Sequence, residues 1–238
     1  MRSIKFLDYP ISNKTKVEFV QEIVTMSQDS RVHLVTVLNA NKMYLYDKYT
    51  QCMKSVNEST LVLPENAINI GMKWLRTPLK EWDVGGVMIA KELLKEESLK
   101  IFLLGAKQIT LEKIMSSNNF NNIVGFHHGY FREKEVPEIV ESINQSQANI
   151  ILLGLGSPRQ EIMMQIIRPI LHKGVMIGVG GTLDVLSGIK KHAPRWTRYG
   201  LEWMYYVFQD PKKFKRYFIV NTYFIYQFIT HILFQNKK

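Results

Sequence analysis

One cysteine, Cys52, stands in 238 residues. That excludes an internal disulfide framework and a cysteine metal cluster. A lone thiol fits a reducing compartment and a small core residue better than a nucleophile. The start, Met1-Arg2-Ser3-Ile4-Lys5-Phe6, lacks the apolar run of a secretory signal, so a cytoplasmic location is expected. No G-x-x-x-x-G-K-[ST] phosphate loop occurs. The dinucleotide pattern G-x-G-x-x-G fails because Arg159 stands where its last glycine belongs. Internal repeats and low-complexity stretches are also absent. His127-His128 has no acidic or cysteine partner at ligand spacing, so no metal is expected, and no cofactor is implied.

What is present reads as one α/β unit. Short apolar runs at 32–38, 60–63, 100–104, 122–126, 149–153 and 175–178 alternate with helical patterns at 40–56, 67–75, 87–95, 110–117, 136–145 and 160–171. Such alternation predicts a Rossmann-like core with a mainly parallel sheet. Ligands of these sheets sit beyond the carboxyl ends of the strands, so the residues just after each strand are the candidates.

The charge is uneven. Net charge is +10, and ten basic residues against Glu202 and Asp210 place most of it after residue 189. A basic segment of this kind needs an anionic partner. Charge is the only support for nucleic acid, since no recognition module accompanies it. The run 217–234 is rich in Phe, Tyr and Ile, but Asn221, Gln227 and His231 interrupt it. A helix lying on a membrane or a partner fits better than a spanning one, which needs ~20 apolar residues. A helix that covers the domain's own core is the plainer alternative. The chain thus divides into a core, 1–189, and a basic, aromatic-rich helical appendage, 190–238.

Three loops can hold chemistry. Gly154-Leu155-Gly156-Ser157-Pro158-Arg159-Gln160-Glu161 runs from a strand into a helix. Ser157 suits the N-cap, Pro158 the first helical position and Gln160 a capping box. Helix initiation leaves Arg159 and the pair Gly154 and Gly156 unexplained, and a ligand approaching the backbone would account for them. In Ile177-Gly178-Val179-Gly180-Gly181-Thr182-Leu183-Asp184, the glycines give a tight exposed turn. Asp184 fits a base or ribose contact and a helix start equally. Leu63-Pro64-Glu65-Asn66 places a carboxylate where a general base could act, with Asn66 as a helix N-cap.

Together these segments resemble the WecG/TagA/CpsF glycosyltransferase family. Phe102-Leu103-Leu104-Gly105, Val124-Gly125-Phe126-His127-His128-Gly129-Tyr130-Phe131, His192-Ala193-Pro194-Arg195-Trp196, Gly200-Leu201-Glu202-Trp203 and Asp210-Pro211 add to the match, in order, over nearly the whole chain. The resemblance implies an inverting, metal-independent transfer of a sugar from a UDP-sugar, of N-acetylmannosamine or glucose/uronic acid type. The acceptor it implies is an undecaprenyl-diphosphate-linked saccharide for teichoic acid, capsule or exopolysaccharide. The absence of a D-x-D acidic pair agrees with it. Carried onto this sequence, it implies Glu65 and Asn39 as catalytic. It places Gly105, Gly154, Gly156, Pro158, Arg159, Gln160, Glu161, Gly180, Gly181 and Asp184 at the UDP-sugar. Arg195, Arg198 and Arg216 would lie at the acceptor or diphosphate. It further implies self-association, a possible partner transferase and a peripheral position at the inner face of the membrane.

The resemblance is to a divergent member, by three departures. Val37 stands where the family has Thr in a T-x-N pattern ending here at Asn39. Pro64-Glu65-Asn66 replaces P-D-G. Asp83-Val84-Gly85-Gly86-Val87-Met88 replaces a motif with Arg and Asp. A catalytically impaired member acting as a nucleotide-sugar-binding scaffold is therefore the alternative.

Overall fold

The computed structural model describes residues 3–82, 84–117, 120–191, 193–194, 197 and 202–235. The chain opens with a hairpin, β1 (Ser3–Phe6) and β2 (Tyr9–Ser12). Helix α1 (Lys16–Ser27) follows, started by a capping box in which Thr15 Oγ1 accepts from Glu18 N while Glu18 Oε2 accepts from Thr15 N. Then come β3 (Val32–Leu38), α2 (Ala40–Tyr46), α3 (Thr50–Asn57), β4 (Leu61–Pro64), α4 (Ala67–Trp74) and α5 (Gly86–Leu93). The second half runs β5 (Ile101–Gly105), α6 (Gln108–Ser116), β6 (Ile123–His127), α7 (Val136–Gln145), β7 (Ile150–Gly154), α8 (Arg159–Ile167), β8 (Gly174–Gly178) and α9 (Thr182–Leu186). It ends in α10 (Glu202–Gln209) and α11 (Phe214–Gln235).

Six strands form one sheet in the order β4-β3-β8-β7-β5-β6, and every pairing is parallel. The strands are apolar throughout because both faces are covered. Ile101 and Leu103 join Phe19, Ile23 and Ile89 on one face. Phe102 and Leu104 meet Ile139, Ile143 and Met164 on the other. The α/β reading of the sequence is therefore the fold, and each expected strand lies within one residue of an observed one.

Helix α1 was not expected, α8 ends at Ile167 and not at 171, and two further elements also differ from expectation. The helix expected over 40–56 is broken at Asp47–Tyr49 into α2 and α3. Asp47 keeps helical backbone angles, φ −66° and ψ −23°, and Tyr49 leaves the path at φ −128° and ψ 105°; the Asp47 side chain accepts hydrogen bonds from Tyr223 Oη and, at 3.4 Å, Gln227 Nε2 of α11. The hairpin was not expected. Its turn residues Leu7 and Asp8 both have positive φ, 48° and 68°, as tight hairpins require. Asn-Gly normally signals that turn, and Leu-Asp does not.

Helix α11 has two apolar faces. Val220, Phe224 and Phe228 are buried against Phe6, Met43 and Met72, with Phe6 and Phe224 ring centroids 6.3 Å apart. Phe218, Ile225, Ile229 and Leu233 are half or more exposed on the opposite face. The helix thus covers the chain's own core on one side only. Among the described residues no helix is long and apolar enough to cross a membrane.

Candidate active site

The motif loops meet at the carboxyl ends of β4, β3, β8 and β7, which are neighbours in the sheet. Asn39 follows β3 and Glu65 follows β4. Asn39 Nδ2 donates to Glu65 Oε2 at 3.1 Å, and the Gly86 amide at the start of α5 donates to Oε1 at 3.1 Å. Among the described residues each carboxylate oxygen is thus held by one donor. Asn39 also caps α2, its Oδ1 accepting from Lys42 N at 3.1 Å. Asn66 sits at the N-cap position of α4 but makes no side-chain cap bond.

The departures cluster here. Val37 is buried, and a Cβ on Gly86 would lie 3.2 Å from Val37 Cγ2. A hydrocarbon therefore lies beside Gly86 and Glu65. Met88 is half-buried on α5, and Asp83 lies outside the described residues.

Across the sheet, the loop after β7 differs from its sequence reading. Helix α8 begins at Arg159, so Pro158 holds the N-cap position and no side chain caps the helix. Ser157 Oγ donates to Glu161 Oε1 at 2.9 Å instead. The expected capping box is absent because the Gln160 side chain turns inward. Its Nε2 donates to Glu161 Oε1 at 3.1 Å, and its Oε1 accepts from Gly180 N at 2.9 Å. Gln160 and Glu161 are both 0% exposed. They shape the loop from beneath and do not line its open side. Arg159 is also engaged: Nη1 donates to Gly129 O, Nη2 donates to Phe131 O at 2.7 Å, and the guanidinium stacks over the Phe131 ring. Arg159 thus braces the loop after β6 through two of its carbonyls.

The glycines separate into two kinds. A Cβ on Gly105 would lie 2.4 Å from the Gly154 carbonyl carbon, and one on Gly154 would lie 2.6 Å from Leu183 Cδ1. Close packing of strand ends explains both. Added Cβ atoms at Gly156, Gly180 and Gly181 would meet nothing within 4 Å. Those three backbones face open space, where a ligand has room to approach. Asp184 is tied to Lys190 and accepts from Thr110 Oγ1 at 3.4 Å.

Two residues that the sequence did not single out belong to this end of the sheet. Lys42 of α2 is buried, with Nζ 3.0 Å from Glu161 Oε1. Tyr206 of α10 is near enough to Glu65 for the carboxylate to act on its phenol. Burial first, then the charges of Glu202 and Glu65, pushes its pKa up to about 12, against a hydrogen bond from the Ala193 backbone. Neither residue has a sequence signal beyond a polar group amid apolar helix positions. Arg216 is exposed on α11, over the Tyr217 ring, while Arg195 and Arg198 lie outside the described residues.

A cavity of about 970 Å³ opens at the other end of the sheet, lined by Asp29, Arg31, His33, Glu58 and Arg168 among others. Volume alone therefore does not mark the site. The motif loops lie at the carboxyl ends, where parallel sheets bind ligands. His127 and His128 serve their own loop: His127 Nδ1 pairs with His128 O at 2.9 Å, and Tyr130 N donates to His128 Nδ1 at 3.2 Å.

The model of the glycosyl transferase WecG/TagA/CpsF family matches residues 4–238. The chain belongs to this family. The WecG/TagA/CpsF proteins are glycosyltransferases of cell-surface polysaccharide synthesis, which implies a nucleotide-sugar donor and a lipid-linked acceptor. Both the Glu65 loop and the glycine loops lie within the matched region.

Proposed function

We propose that the chain transfers a sugar, with inversion and without a metal, from a UDP-sugar to an undecaprenyl-diphosphate-linked saccharide. The observation that carries this reading is the Glu65 carboxylate, held by Asn39 and the Gly86 amide across the sheet ends from three open glycine backbones. Glu65 removes the acceptor hydroxyl proton as the acceptor oxygen bonds to the sugar's anomeric carbon. The bond from that carbon to the UDP oxygen breaks, and UDP leaves with the electron pair. The amides of Gly156 and Gly181 face the diphosphate, while Gln160 holds that of Gly180. Arg195, Arg198 and Arg216 supply positive charge where negative charge develops.

Residues 190–238 form the membrane-proximal part in this reading. Lys212, Lys213, Lys215 and Arg216 stand at the start of α11, next to its exposed apolar face. Cationic and apolar groups in that arrangement suit the anionic inner face of the cell membrane.

UDP release from a panel of UDP-sugars, with and without lipid-diphosphate-linked acceptors, tests the transfer. Release should need both substrates. Glu65→Ala should lose on the order of 100- to 10,000-fold in turnover while binding UDP as wild type does. Equal turnover of variant and wild type would remove Glu65 from the base role. A second reading has its own observation, the buried Val37 where the family's Thr would bring a hydroxyl. Measurable UDP binding with no release from any pair would favour that scaffold reading.

A further inference from the structure

Lysine is almost never fully buried unless paired, and Lys42 is 5% exposed. Its Nζ lies 3.0 Å from Glu161 Oε1, off the line of a directed hydrogen bond, so the contact is an ion pair. Replacing such a pair by apolar residues of similar volume is often neutral or stabilising. Stability alone therefore does not account for it. Its connections do.

Lys42 N is the donor that seats Asn39 Oδ1, and Asn39 Nδ2 holds Glu65. On the other side, the Glu161 oxygen that faces Lys42 also accepts from Ser157 and Gln160. Gln160 in turn fixes the Gly180 amide. One residue thus stands between the Glu65 side and both glycine loops. Lys42 is too deep to reach a ligand at those loops, and Glu161 is fully buried beneath them.

We propose that Lys42 is a positioning residue, which through Glu161 fixes the donor loops in register with the helix whose N-cap, Asn39, holds Glu65, and touches neither substrate. The turnover part of this proposal rests on the transferase reading above. The positioning part does not.

The test uses the double variant Lys42→Met/Glu161→Gln, which removes both buried charges together and keeps an amide for Ser157 and Gln160. It should unfold within a few degrees of wild type. Hydrogen exchange at the Gly86 and Gly180 amides should nevertheless rise at least tenfold. Turnover should fall by about 100-fold, the effect of misplacement near 1 Å. A stable variant whose exchange at both amides stays within twofold of wild type overturns the proposal. A second measurement needs no variant: UDP added to wild type should slow exchange at Gly86 as well as at Gly180. Protection confined to Gly180 overturns the coupling. If wild type releases or binds no UDP, the transferase reading fails, and the exchange rates of the double variant still decide the role of Lys42.

Discussion

At the scale of single residues, the glycines give the sharpest separation of stability from binding. Gly105 has φ 138°, and a Cβ there would collide with Gly154. Gly105→Ala should cost about 3 kcal/mol or more in urea unfolding, since backbone rather than a flexible side chain must yield. Gly156 also has positive φ, 73°, but open surroundings. Gly156→Ala should cost only about 1 kcal/mol, yet weaken UDP binding at least tenfold by calorimetry. Tyr206 makes a different prediction. Its pKa is raised in the folded state to about 12, so folded protein holds the phenol proton after the unfolded chain has released it. The contribution is intact below the unfolded value near ~10 and is lost as pH rises toward the folded one. Urea midpoints from pH 9 to 11.5 should fall less steeply for Tyr206→Phe than for wild type; parallel curves would contradict the burial of this phenol. Much of the site was legible at this scale, because Glu65, Asn39 and the glycines follow strands. Arg159 and Glu161 carried no sign that backbone carbonyls and a buried lysine engage them. Those partners come from residues 30 and 119 positions away, a separation that no local pattern encodes.

Elements were legible where the apolar period was clean. The strand at Val32–Leu38 and the helix at Val136–Gln145 coincide with expectation to the residue. The break between α2 and α3 was not legible, because no glycine or proline marks it. The capping box at Ser157 is absent because the Gln160 side chain turns inward to Glu161 and Gly180 and the helix starts one residue later than expected from a Ser157 cap. Helix α11 follows the apolar run as expected, but its two faces separate only in the fold. Phe224→Ala, on the buried face, should cost about 3 kcal/mol in urea unfolding. Ile225→Ser with Ile229→Ser, on the exposed face, should leave stability within about 0.5 kcal/mol per site. Flotation with anionic vesicles should drop for that pair and stay at wild-type level for a soluble-side control such as Lys95→Ser. Unchanged flotation would contradict membrane contact through this face.

For the whole molecule, charge and topology act together. The basic excess lies beyond residue 189, on the part of the chain that carries α11. Vesicle binding should therefore weaken as salt rises from 0.05 to 0.5 M, when the Debye length shrinks to a few ångströms; salt-independent binding would assign the affinity to apolar contact alone. The sheet order has another consequence. Strand β8, at Gly174–Gly178, lies between β3 and β7. A chain emerging from the ribosome therefore has two incomplete half-sheets until that strand is made, each with an apolar edge open for pairing. Unpaired edges recruit other chains. A nascent chain stalled or truncated before residue 174 thus leaves the facing edges of β3 and β7 unpaired.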